Sequence, residues 1–133
     1  MKRVISMMLL LSWILCGCAS DSHPVTRDEI VSAYSEAGYT VSSEVYDEPL
    51  TYGEIAYIQA DHPDGGYIYF RLFETEAQAK ANKDAFHHPV VIGLFSWIYG
   101  EASWLRCRVH GNIVVQYDDP VFYAVFEELL NSK

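Results

Sequence analysis

Three helix-start signals, set along a chain rich in apolar and aromatic residues, constrain the fold more than any other feature. Thr26-Arg27-Asp28-Glu29 reads as a capping box, in which the Thr26 hydroxyl and the Glu29 carboxylate each satisfy a free amide at a helix start. Val25 and Ile30 stand where a hydrophobic staple would place them, and Ile30, Ala33, Tyr34 and Ala37 form one stripe at helical spacing. Gly38 suits the left-handed position after the last turn, with Tyr39 folding back, so a helix is expected over 27–37. Thr75-Glu76-Ala77-Gln78 is a second capping box, opening an alanine-rich helix to about Phe86. Asp119 as N-cap with Pro120 at the first helical position starts a last helix running to about Leu130.

The segments between these signals read as strands. Residues 54–60 and 67–73 flank the turn formers Asp61-His62-Pro63-Asp64-Gly65-Gly66, and residues 104–109 and 113–117 flank His110-Gly111-Asn112. Gly66-Tyr67-Ile68-Tyr69-Phe70-Arg71-Leu72 aligns loosely with Gly111-Asn112-Ile113-Val114-Val115-Gln116-Tyr117, 45 residues on. Residues 41–52 are acidic and broken by Pro49, which fits a short edge strand or a loop. In 89–100, Val91, Leu94, Phe95 and Ile98 keep helical spacing against Gly93 and β-branched neighbours. A short core helix is the expectation there, and an exposed patch of Phe95, Trp97 and Tyr99 the alternative. The fold class is therefore α+β: an antiparallel sheet of about four strands from two hairpins, with three or four helices on one face, in the order α-ββα-(α)-ββα. With 133 residues, half of them hydrophobic, residues 26–133 make one globular domain.

The N-terminus is of another kind. Met1-Lys2-Arg3 is a short basic region, and residues 4–15 are almost wholly apolar. That run is too short for a comfortable permanent span, which takes about 20 residues, and has the length of a signal-peptide hydrophobic region. It ends in Leu15-Cys16-Gly17-Cys18. This tetrapeptide resembles the lipobox of bacterial lipoprotein precursors. The resemblance implies that residues 1–17 are a removed signal peptide, and that Cys18 receives a diacylglyceryl thioether and becomes the new N-terminus. It further implies a cell-membrane location, lipid-anchored on the extracytoplasmic face, with the bilayer itself as first partner. Two acyl chains anchor stably where one is marginal. Residues 18–25 are then the lipidated cysteine and a tether. The seven residues from Ala19 to Val25 reach about 25 Å at most.

Lys2 and Arg3 lie in the removable segment, so seven basic residues face 18 acidic ones and the mature chain carries a formal charge of −11. Such a field repels nucleic acid and anionic surfaces, and no nucleic-acid partner is expected. Cys107 is the only cysteine left after processing once Cys18 is acylated, so no internal disulfide can form.

Catalytic and metal patterns are weak. His87 and His88 are adjacent and would point about 100° apart on a helix, and no His-x-x-x-His or Cys-x-x-Cys spacing occurs. Asp61, His62 and Asp64 lack the alternating ligands of a calcium loop and read as turn formers. Cys107 lies between Arg106 and Arg108, but alternation turns it away from both, as a buried inert thiol. No nucleophile elbow, phosphate loop or dinucleotide fingerprint is present, so neither an enzyme nor a cofactor is expected. Alternation does leave one surface. With Leu105, Cys107, Val109, Ile68, Phe70 and Leu72 inward, the outer sheet face gathers Trp104, Arg106, Arg108, Tyr67, Tyr69 and Arg71. Arginine forks and aromatic planes suit partner recognition. The expectation is a non-catalytic envelope module that binds a protein, peptide or cell-wall component. The alternative is a metal-handling lipoprotein using His62, His87, His88 and His110.

Overall fold

The computed structural model describes residues 24–86 and 106–133. Along them run α1 (Arg27–Glu36), β1 (Thr40–Val45), β2 (Glu54–Asp61), β3 (Tyr67–Phe73), α2 (Glu76–Phe86), β4 (Cys107–His110), β5 (Ile113–Tyr117) and α3 (Pro120–Asn131). The helix starts follow their caps. The Thr26 amide donates to Glu29 Oε2 at 2.8 Å while Thr26 Oγ1 accepts from the Glu29 amide at 3.3 Å. Thr75 and Gln78 repeat the exchange at 3.0 and 3.2 Å, and Asp119 Oδ1 accepts from the Val121 amide at 2.9 Å. After α1, Gly38 sits at φ 90°; its amide donates to the Ser35 carbonyl and the Tyr39 amide to the Tyr34 carbonyl, at 3.1 and 3.0 Å. This closes the helix and turns the chain into β1.

The strands form one antiparallel sheet in the order β1-β2-β3-β5-β4. The two expected hairpins are joined through β3 and β5, and residues 40–45 add an edge strand as the fifth. The final hairpin begins at Cys107 among the described residues. Trp104, Leu105 and the segment 89–100 lie outside them, as do Cys18 and its tether up to His23.

Register decides which residues share a face. Ala56, Ile58 and Ala60 oppose Leu72, Phe70 and Ile68, which oppose Ile113, Val115 and Tyr117. This row meets Val25, Ile30 and Tyr34 from α1 and its lead-in, and Phe122, Tyr123 and Phe126 from α3, in the main core. Tyr34 is fully buried, its ring edge-on to Phe70 at 5.3 Å, and its hydroxyl donates to the Phe122 carbonyl at 2.7 Å. Phe70 and Phe126 meet edge-on at 5.2 Å. Burying each of these side chains contributes roughly 1.5–3 kcal/mol. The expectation of helices against one face describes α1 and α3. On the reverse face a smaller cluster joins Phe73 and Val114 to Ala79 of α2, with Cys107 and Val109 beside it.

One residue explains this second layer. Phe70 and Val115, equivalent in the loose sequence alignment, are direct cross-strand partners, so the hairpins are arranged about that pair with local two-fold character. β3 ends on Phe73, which points to the reverse face, whereas β5 ends on Tyr117, which points into the main core. Each following helix covers the face its last strand residue addresses, because successive strand residues alternate sides. β5 is buried from both sides, with Ile113, Val114 and Val115 at 2% exposure or less.

Candidate functional site

The sequence expectation placed Tyr67, Tyr69, Arg71, Trp104, Arg106 and Arg108 on one outer face. The structure corrects this grouping. Cys107 opposes Gln116, which opposes Tyr69, so Cys107 shares the Tyr69 face. Arg108 opposes Val115, which opposes Phe70, so Arg108 stands on the main-core side. There its guanidinium lies 4.6 Å from the Tyr123 ring centre and Nη1 3.6 Å from Glu127 Oε1 on α3. Arg108 therefore braces α3 and does not join the tyrosines. Arg106 is exposed just before β4, and its carbonyl accepts from the Tyr117 amide at 3.1 Å. Trp104 is outside the described residues.

What stands beside Tyr69 instead comes from the middle of the sheet. Tyr57 and Tyr69 stack at 5.6 Å with 24° between planes, and Tyr46 continues the row at 6.2 Å from Tyr57. Gln59 and Gln116 flank Tyr69 from either neighbouring strand. Gln59, Tyr67, Tyr69 and Gln116 line an open depression of about 340 Å³. The Gln59 amide donates to Asp61 Oδ1 at 2.9 Å, and the Tyr67 backbone amide donates to Asp118 Oδ2 at 3.1 Å, which fixes the rim. Arg71 opposes Tyr57 across the strands.

Burial dominates the electrostatics of this surface. Burial pushes the Tyr69 phenol up to about 12, and the nearby Glu54 carboxylate adds to the shift. Burial also raises the Glu54 carboxyl, against the Arg71 charge and a hydrogen bond from Tyr46. The Cys107 thiol is driven up to about 11 by burial, against the pull of Arg71 and Lys83. Neutral phenols and carboxamides offer both donors and acceptors beside aromatic planes, a set suited to a neutral polar ligand. Tyr46, Glu54, Tyr57, Gln59 and Gln116 were missed in the sequence. The signal for two of them was present, since Tyr57 and Gln59 alternate with the apolar Ala56, Ile58 and Ala60.

The two histidines within the described residues lie at opposite ends of the sheet. His62 stacks on Phe122 at 5.4 Å, meets Tyr39 edge-on, and accepts from the Asp64 amide through Nδ1 at 3.2 Å. His110 meets Phe126 edge-on at 6.0 Å beside the other hairpin turn. His87 and His88 fall outside the described residues; among the described residues no group of three or more His, Cys, Asp or Glu is placed to hold a metal. No helix among the described residues is long and apolar enough to cross a membrane. Comparison with protein-family models, curated proteins and solved structures finds no match for this chain.

Proposed function

We propose that the protein is a non-catalytic envelope module, held to the membrane by lipid on Cys18, that binds a protein, peptide or cell-wall component through the tyrosine face of its sheet. The supporting observation is the open depression lined by Gln59, Tyr67, Tyr69 and Gln116, with Tyr57 stacked on Tyr69 beside it. Tyrosine rings offer large contact area at low ordering cost, and the amides supply direction.

The test is crosslinking in cells, comparing the parent with the Gln59→Ala/Gln116→Ala double variant and with Arg108→Ser. Losing two neutral hydrogen bonds costs about 2 kcal/mol, roughly thirtyfold in affinity. The double variant should lose its captured neighbour while its melt stays close to the parent's. Arg108→Ser should keep the neighbour and melt lower, since it acts on α3. Equal capture by the double variant refutes the assignment.

A further inference from the structure

The end of the sheet where the chain enters the fold also carries the most exposed apolar turn among the described residues. Pro24 lines a depression with Asn112, Leu130 and Lys133, next to the β4–β5 turn. Register places the β1–β2 loop at the same end: Val45 opposes Ala56, Ala56 opposes Leu72, and Leu72 opposes Ile113 beside that turn. The loop is a built feature. The Leu50 amide donates to the Glu54 carbonyl at 2.8 Å, the Gly53 amide to the Leu50 carbonyl at 2.7 Å, and the Glu74 amide to the Gly53 carbonyl at 3.4 Å. Gly53 holds φ 81°, a value that favours glycine. The turn lifts Leu50 and Tyr52 to 46% and 59% exposure, with Val45 at 59% at its base. The remaining strongly exposed large hydrophobic among the described residues, Val121, is at the opposite end of the sheet.

We propose that the Leu50-Thr51-Tyr52 turn is a second membrane contact, seated in the phospholipid headgroup layer beside the anchor. The proposal rests on the reading of Cys18 as lipidated. A tether of at most about 25 Å keeps the Pro24 end near the bilayer. Three inter-strand spacings, about 14 Å, separate the two hairpin loops at that end, well within the same zone. Leucine and tyrosine suit the boundary, where an apolar body is buried and a hydroxyl stays wet. Asp47 and Glu48 lie on the same loop and oppose anionic headgroups, so the fitting surface is zwitterionic. In this seating the sheet stands on end. Its tyrosine face looks sideways along the membrane, and the 61–66 turn lies about 20 Å farther out.

The test uses the full chain, processed in cells and reconstituted into phosphatidylcholine vesicles containing lipids brominated on their acyl chains. Tyr52→Trp and Val121→Trp are compared with the parent by tryptophan emission. The emission added at position 52 should fall about twofold, as expected for a ring seated 5–10 Å into the boundary. The emission added at position 121 should be unchanged. Equal quenching at both positions, or none at position 52, overturns the seating when the N-terminal peptide carries the lipid mass. An N-terminal peptide lacking that mass overturns the anchor reading, and the seating with it.

Discussion

Tyr34→Phe deletes one oxygen at the contact that ties α1 to α3, and its cost can be worked from the geometry. The hydroxyl donates to the Phe122 carbonyl at 2.7 Å from a side chain with no exposure, while Phe122 itself is 8% exposed. A neutral hydrogen bond of this kind contributes about 1–1.5 kcal/mol net. For a domain of roughly a hundred residues this corresponds to a drop in Tm of about 4–8 °C. The ring should be worth far more, because it packs edge-on against Tyr39 at 5.1 Å and Phe70 at 5.3 Å. Tyr34→Ala should cost about 3–5 kcal/mol, a large part of a typical total of about 5–15. Urea and thermal unfolding of residues 19–133, followed by circular dichroism, separate the two effects. If Tyr34→Phe unfolds within about 0.3 kcal/mol of the parent at unchanged m, the hydroxyl is solvated and the docking of α1 on α3 is refuted.

Asn82 of α2 is 3% exposed and its Oδ1 finds no hydrogen-bond partner among the described residues. Asn82→Ala should therefore leave Tm unchanged or raise it by a few degrees, since it removes a stranded acceptor and adds helix propensity; a clear loss in a thermal melt would contradict this. Cys107, with its thiol near 11 against an ordinary 9, should react with a thiol reagent about a hundredfold more slowly than an exposed cysteine at pH 8, as timed by mass spectrometry. Tyr69 ionises near 12 in the fold and near 10 once unfolded, so only the unfolded chain releases that proton between the two values. Its contribution to stability is full below pH 10 and is lost as pH rises from 10 to 12, and Tyr69→Phe should flatten that limb of a pH–melting series.

The local punctuation of the fold was legible. Thr26 with Glu29, Thr75 with Gln78, Asp119 before Pro120, and Gly38 after α1 all act within four residues of themselves, where sequence spacing is spatial spacing. The sides of the sheet were less so. Alternation places Cys107 and Arg108 on opposite faces of β4, as it should, but says nothing about which face of β3 each one shares. That parity is set by the pairing of Val115 with both Arg108 and Phe70, a long-range fact. The assumption that apolar strand residues all point to one core failed at β5, where Val114 serves one cluster and Val115 the other. Hence the tyrosines were found and the arginine was misplaced. The amides of Gln59 and Gln116 were overlooked because they flank Tyr69 only once three strands are in register.

The doubly covered strand β5 sets an order of assembly. Its partner residues on β3 lie 41 to 49 positions earlier, and the Tyr34–Phe122 link spans 88. Until residues 113–126 are available, β2 and β3 can pair as a hairpin and α1 can meet Phe70, but Phe122 and Phe126 are missing from the core and the Tyr34 hydroxyl has no Phe122 carbonyl to reach. Closing such distant contacts is slow, and it cannot begin until residues 113–126 have left the ribosome. A chain wired in this way stays open until residues 113–126 emerge, and then closes as a unit.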